Sequence, residues 1–368
     1  MHILIDARFL GTGTGIATYT ENLIKNLAKI DQKNHYSIAL TDKYFNQFNF
    51  PYNNFTSIPV KADYYSMAEQ TKLLWFIKKI KPDLVHFTNF NHPLLYRGKC
   101  IFTIHDLILS FFSPPVNPIK KLAYKITLKS AIKKADKIIA VSQNTKKDLQ
   151  KFFNLKSNEI KVIYNGVNRP LINQKKFEKS FLRKKYGINQ DYLLYVGRFA
   201  AYKNVELLIK AFVLLIKEKK IDYQLVLVGP KDKECYRLGK LIADYKLKWK
   251  IIFTGKVDSD NLFAFYKNAT LFVFPSLYEG FGLPILEAMS YNVPVICSSS
   301  SSLPEVAGKA ALYFNPYDEK ELAEKIYHIL NNQELRKELI KKGQIQIKKF
   351  SWLKTAQETW QVYQSLLK

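Results

Sequence analysis

The amino-acid sequence predicts an α/β protein built from two doubly wound, parallel-sheet domains, and three observations carry that prediction. Short, near-continuous apolar runs rich in Ile, Val and Phe recur along the chain. Most are followed by a segment of helical periodicity, and the alternation pauses once, in a polar and basic stretch, before it begins again. Strands buried on both faces read as continuous apolar runs, and strands that alternate with helices build parallel sheets with helices on either side. At 368 residues, 47% of them hydrophobic, the chain is long enough for two cores of ordinary size.

In the first half the apolar runs lie at 2–6, 36–40, 84–87, 101–104, 137–141 and 160–164. In the second half they lie at 192–196, 224–228, 251–254, 271–274 and 293–297. Helical periodicity is clearest at 17–30, 205–217 and 319–331. The pause at 165–185 contains Pro170 and has the composition of an inter-domain linker, which puts one domain at 1–170 and the other at 171–350. Several runs end in residues for which a closed core has no use. Residues 192–196 lead into Gly197-Arg198, 224–228 into Gly229-Pro230 and 271–274 into Pro275-Ser276. Ligands of open α/β sheets sit just beyond the carboxyl ends of strands, so these loops are where chemistry is expected.

Composition narrows the function classes. Cys100, Cys235 and Cys297 lie far apart with no C-x-x-C pair, which argues against a disulfide framework or structural zinc and fits a reducing, cytoplasmic setting. The start, Met1-His2-Ile3-Leu4-Ile5-Asp6, lacks the cationic region and cleavage site of a secretory signal, and no uncharged stretch approaches the roughly 18 residues that span a bilayer. The formal net charge is +26, and the excess is heavier in the first half. It points either to an anionic partner (nucleic acid, a membrane surface or a substrate) or to a compositional bias toward Lys, Asn, Ile, Tyr and Phe. A nucleic-acid-binding protein is disfavoured, because no helix-turn-helix, zinc or RNP-like signature accompanies the charge.

Four constellations carry chemistry. Gly11-Thr12-Gly13-Thr14-Gly15 follows the first apolar run and opens a helix near Ile16. Its amides either approach an oxyanion at the helix start or simply make a tight turn; the spacing is not G-x-G-x-x-G, so a nicotinamide dinucleotide is not expected. His105-Asp106 ends the run at 101–104. There a neutral imidazole either bonds a sugar hydroxyl or shuttles a proton, with Asp106 fixing its tautomer or the local backbone, or else it is a satisfied core histidine. Arg198 closes a strand and Lys203 opens a helix, where a cation opposes the helix dipole unless a diphosphate reverses the sign. The strongest signal is the segment from Pro275 to Met289. Here a strand ends, a loop carries Glu279, Gly280, Phe281 and Gly282, and a helix begins near Leu283 with Glu287 inside it. The amides around Gly282 and Leu283 suit a phosphate, and two carboxylates eight positions apart suit hydroxyls at the two ends of a nucleotide-sugar.

On these motifs the chain resembles the retaining glycosyltransferases of family 4, with the GT-B fold of two Rossmann-like domains facing across a cleft, over essentially its whole length. Within the family it looks most like bacterial O-antigen-type mannosyltransferases. Glu279 to Glu287 reproduces the family's E-x7-E element with Gly-Phe-Gly inside it, followed in specificity by Gly197-Arg198 with Lys203-Asn204 and then by His105-Asp106. The resemblance implies that Arg198 and Lys203, with Gly282 and Leu283, hold the donor diphosphate. It implies that Glu279, Gly280 and Phe281 meet the transferred sugar, Glu287 the ribose, and His105 a hydroxyl near the reacting carbon. The loop Gly13-Thr14-Gly15 would face acceptor and diphosphate, and the segment 351–368 would return to the first domain. It further implies a hexosyl unit, mannosyl from GDP-mannose, moved to a glycan or polyprenyl-diphosphate-linked acceptor without metal or other cofactor. A UDP-sugar-dependent glucosyl or N-acetylhexosaminyl transferase, a nucleotide-sugar epimerase and a phosphorylase on the same scaffold stay open as alternatives.

Two further stretches bear on partners. Asp258-Ser259-Asp260 is a D-x-D triplet of the kind that binds metal in a different glycosyltransferase fold, but it precedes a helical pattern at 261–267, so helix capping is the expectation. From Pro118 to Lys151 the lysines far outnumber Asp136 and Asp148, and Ile119, Leu122, Ile126, Leu128 and Ile132 recur among Lys120, Lys121, Lys125, Lys129 and Lys133. That helix either lies on anionic lipid at the inner face of the membrane or packs on the core with a solvated basic face.

Overall fold

The computed structural model describes residues 1–48, 50–112, 118–168 and 179–367, the side chains of Ser259 and Asp260 excepted. The chain divides into two compact units, Met1–Gly166 with Ser351–Lys368, and Val167–Phe350. The division falls a few residues ahead of the boundary expected at 170. Pro170 lies outside the described residues, and part of the expected linker is a helix, Lys179–Tyr186.

In the first unit seven strands form one parallel sheet. They are β1 (His2–Asp6), β2 (His35–Thr41), β3 (Phe55–Val60), β4 (Leu84–Phe87), β5 (Cys100–Ile104), β6 (Lys137–Ala140) and β7 (Ile160–Val162), in the order β3-β2-β1-β4-β5-β6-β7. Strand β3 escaped the sequence reading because it lies at the sheet edge, half exposed and carrying Pro59, a residue that edges tolerate and interiors do not. The run 160–164 is strand only to Val162. The order of strands reverses direction between β1 and β4, which opens a crevice outside their carboxyl ends.

The C-terminal helix Trp352–Leu367 belongs to this unit and packs against the helix Gly15–Ile30. Thr355 Oγ1 donates to the Tyr164 carbonyl (2.6 Å), and Trp360 Nε1 donates to Asp31 Oδ2 (2.9 Å). Tyr363 Oη meets His86 Nδ1 at 2.6 Å, and the other ring nitrogen of His86 meets Thr103 Oγ1 at 2.8 Å. Burial lowers the His86 pKa to about 3, so this imidazole is a neutral structural link. Gly166 permits the crossing, because a Cβ there would stand 2.1 Å from the Trp352 amide nitrogen.

The second unit repeats the scheme with β8 (Tyr192–Val196), β9 (Gln224–Val228), β10 (Ile251–Gly255), β11 (Leu271–Phe274), β12 (Val295–Ser298) and β13 (Ala311–Phe314), all parallel, in the order β10-β9-β8-β11-β12-β13. Its switch point lies between β8 and β11. The helix Ser259–Asn268 starts earlier than the expected 261–267. Asp258 occupies its N-cap position without a side-chain capping bond, so the capping role expected of the triplet is not made by Asp258. No helix among the described residues is long and apolar enough to cross a membrane.

Candidate functional site

In the second unit the loops that follow β8 and β11, the two strands at the switch point, carry the predicted residues. After β8 the chain passes Gly197 and the exposed Arg198 into a short 3-10 turn, Ala201–Lys203. Asn204 then takes a left-handed conformation (φ 56°) and donates through Nδ2 to the Pro316 carbonyl (2.7 Å), starting the helix Val205–Glu218. This turn delivers the Lys203 ammonium to Glu279, with Nζ to Oε1 at 2.5 Å and both side chains largely shielded from solvent. Nζ also lies 5.4 Å from the Tyr202 ring and 5.6 Å from that of Phe274. Their motifs place the two side chains at different parts of a ligand; in the structure they touch each other.

The loop carrying Glu279 is fastened to the serine run that leaves β12. The Glu279 amide donates to Ser301 Oγ (2.8 Å), the Ser302 hydroxyl reaches the carbonyls of Glu279 and Phe281 (2.9 Å each), and Ser298 Oγ bonds the Ser276 carbonyl. Gly280 and Phe281 are buried, the latter edge-on to Phe350. Gly282 sits at φ 106°, and a Cβ on it would stand 2.8 Å from Leu303, so both backbone and space call for glycine. It is the N-cap of the helix Leu283–Ser290, with Pro284 in the first turn. The amides of Gly282 and Leu283 donate to no other group among the described residues. Such a pair of free donors at a helix start is a seat for an oxyanion.

Glu287 projects from that helix. Its Oε2 accepts from the hydroxyl of the buried Tyr266 at 2.8 Å, and Tyr266 stacks on Tyr291 (5.7 Å, interplanar 2°). Burial raises the Glu287 pKa, while the bond from Tyr266 opposes that rise. With one oxygen held, the other can accept from a ligand hydroxyl. Tyr266, Ser301 and Ser302 carry no motif that marks them in the sequence, although the uninterrupted serines at 298–302 are a visible feature.

The remaining predicted residues belong to the first unit. Thr14 is the N-cap of the helix Gly15–Ile30; its Oγ1 accepts from the Ala17 amide (3.4 Å) and meets Thr12 Oγ1 (2.8 Å). Gly13 has φ 68°, Gly13 and Gly15 are exposed, and neither amide donates among the described residues. His105 directly follows β5. Its Nε2 lies 2.9 Å from the Thr88 carbonyl, which can only accept, so the proton is on Nε2 and Nδ1 carries the lone pair. Burial lowers its pKa to about 4, against the carbonyl bond that raises it, and the ring meets Tyr19 edge-on at 5.0 Å. Thr88 therefore sets the tautomer. Asp106 serves the local backbone instead, its Oδ1 accepting from the Ile108 amide at 3.0 Å.

Comparison with known proteins bears on the class. The family described as glycosyl transferases group 1 matches residues 178–346, and glycosyltransferase family 4 matches residues 13–169. The O-antigen chain mannosyltransferase B of Escherichia coli is 31% identical over 310 residues, covering 84% of this chain and 81% of that protein. Sucrose-phosphate synthase from Thermosynechococcus elongatus has a similar fold, with a TM-score of 0.81 at 21% identity over 100% of this chain and 99% of that one. Anabaena HepE in complex with UDP-glucose gives a TM-score of 0.78 at 19% identity over 99% and 100%. Fold and relatives together define a GT-B glycosyltransferase. Within that class the chain belongs to glycosyltransferase family 4, in the O-antigen mannosyltransferase-like group.

Proposed function

We propose that the protein moves a mannosyl unit from GDP-mannose to a glycan or polyprenyl-diphosphate-linked acceptor, with retention at the anomeric carbon and without metal or other cofactor, in the synthesis of a surface polysaccharide. The observation that carries this reading is the Lys203–Glu279 pair at the switch point of the second sheet, in the loop system that also presents two unengaged amides at Gly282 and Leu283. A diphosphate takes the amides and the charge of Lys203 and Arg198, which together offset charge on the departing nucleotide. Glu279, held by Lys203, accepts from hydroxyls of the transferred sugar, and the free oxygen of Glu287 accepts from the ribose. His105, neutral at physiological pH, accepts a sugar hydroxyl through Nδ1. The kinship with a mannosyltransferase supports mannose, whereas the UDP-glucose complex of HepE supports a UDP-sugar as the second reading.

Thermal-shift measurements decide between them. At about 100 times its dissociation constant a ligand adds ~2.7 kcal/mol, a readily visible shift. GDP and GDP-mannose should raise the melting temperature and UDP-sugars should not; the reverse result replaces mannose with a UDP-linked hexose.

The basic helix supports action at the inner face of the membrane, as a peripheral cytoplasmic enzyme. In Pro118–Lys134, Leu128 and Ile132 turn inward, contrary to an all-round surface role, while Ile119, Leu122 and Ile126 stay 74, 58 and 49% exposed among lysines. Each lysine near anionic lipid adds about 1 kcal/mol, and the apolar stripe adds insertion. Co-sedimentation with phosphatidylglycerol vesicles should exceed that with neutral vesicles and fall when Lys120, Lys121 and Lys125 become Glu. Equal binding to both vesicle types would remove the membrane from this account.

A further inference from the structure

We propose that Tyr64 and Tyr65, carried on a buried ionic cluster of the first unit, form a stacking platform for a hexopyranose ring of the acceptor glycan; this rests on the transferase reading above. Tyr65 has φ 58°, a left-handed conformation that is a genuine outlier for a bulky aromatic residue. Strain of that kind persists only where its surroundings over-determine it, and it gathers at ligand sites. Here the Tyr65 backbone lies beside the Glu69 carboxylate and favours its charged form. Glu69 Oε2 is held by Arg8 Nη2 at 3.0 Å, and Arg8 is held in turn by both oxygens of Asp6 (2.8 Å each) and by the Ala62 carbonyl (3.3 Å). Arg8 has no solvent exposure, and Asp6 and Glu69 have almost none. Burying three charges is costly and adds little stability by itself. What this cluster does is fix both ends of the strained turn, at the Ala62 carbonyl and at Glu69.

The turn presents aromatic rings in steps. Phe9 stacks on Tyr64 (4.5 Å, 22°), Tyr64 meets Tyr65 edge-on (5.8 Å), and Tyr65 stands 6.1 Å from Phe90. Phe9 and Phe90 are buried, whereas Tyr65 is 60% exposed. Its hydroxyl lies near the side chain of Asn89, whose Nδ2 donates to Asn91 Oδ1 at 2.7 Å. Phe9 follows β1 and Phe90 follows β4, so the platform lies at the switch point of the first sheet.

A hexopyranose matches this chemistry. Its C–H face carries slight positive charge and suits the negative face of an aromatic ring, and its rim of hydroxyls suits amide side chains, which both donate and accept. A prenyl chain has no use for the asparagines. A phosphate is disfavoured because Asp6 and Glu69 outnumber Arg8 and Asp106 acts on Tyr65 with the same sign.

Saturation-transfer NMR with methyl α-mannopyranoside, methyl α-glucopyranoside and octyl α-mannopyranoside tests the proposal. Tyr65→Gly removes the ring and relieves the backbone, so the variant should fold at least as well as the wild type. Wild type and Tyr65→Phe should bind the methyl glycosides saturably, and Tyr65→Gly and Tyr64→Ala should bind at least tenfold more weakly. Equal affinity in Tyr65→Gly, no saturable binding of either methyl glycoside to the wild type, or binding only of the octyl probe would each overturn the platform. The thermal shift caused by GDP or UDP separates the two layers. Its absence from the wild type, with methyl glycoside binding intact, would remove the transferase reading and leave the platform standing.

Discussion

Replacing Lys203 with Ala should lower turnover about 10²- to 10³-fold while the protein stays folded, as judged by circular dichroism and an unchanged urea midpoint. The factor corresponds to loss of one preorganised charge on a departing oxyanion, about 3–4 kcal/mol. The fold should survive because the pair lies in loops beyond β8 and β11, not in either core. Glu279→Ala should produce a comparable loss, since the carboxylate holds the ammonium and, in the proposed site, would also meet the sugar. The double variant should be no slower than the slower single one, because residues that act as a unit are non-additive. Lys203→Arg should restore only part of the rate, as a planar fork does not replace a compact ammonium at a 2.5 Å contact. Nucleotide release by the Lys203→Ala variant at close to the wild-type rate would take the diphosphate site away from this loop.

The second large effect is on stability. Arg8→Met should destabilise the first unit by about 3–5 kcal/mol, because it leaves Asp6 and Glu69 buried without their shared cation. For a unit of this size the melting temperature should fall by on the order of 10 °C. Glu69→Gln should behave quite differently. Burial raises the Glu69 pKa in the folded protein, opposed by Arg8. A carboxyl whose folded pKa is raised supports the fold below its unfolded value and loses that support as pH climbs through the folded one. At neutral pH the charged form is therefore a burden, and the amide, which can still accept from Arg8, should be tolerated. Differential scanning calorimetry of both variants gives the comparison, and an Arg8→Met protein as stable as Glu69→Gln would contradict the role given to the cluster.

Much of this site was legible in one dimension because its residues sit at strand ends and helix starts, where local rules apply. Gly282 is expected where a strand-to-helix loop meets the helix start, and the left-handed N-cap confirms the position; Thr14, expected in a ligand loop, caps the first helix instead. The D-x-D triplet shows the limit of such rules: the helix position was near, but Asp258 at its N-cap makes no side-chain capping bond. The edge strand β3 failed for a related reason, since half-exposed edges carry no continuous apolar signature.

Local order alone determined that this chain would build parallel sheets, that the loops after β8 and β11 would carry Arg198, Lys203 and Glu279, and that a helix with Glu287 in it would follow. Three-dimensional folding decided which of them touch. Lys203 meets Glu279 across 76 positions, Tyr266 reaches Glu287 across 21, and Arg8 joins Glu69 across 61. Each of these bonds is chosen by how strands stack side by side, and strand order is set by the packing of whole helices and sheets, which no short window of residues contains.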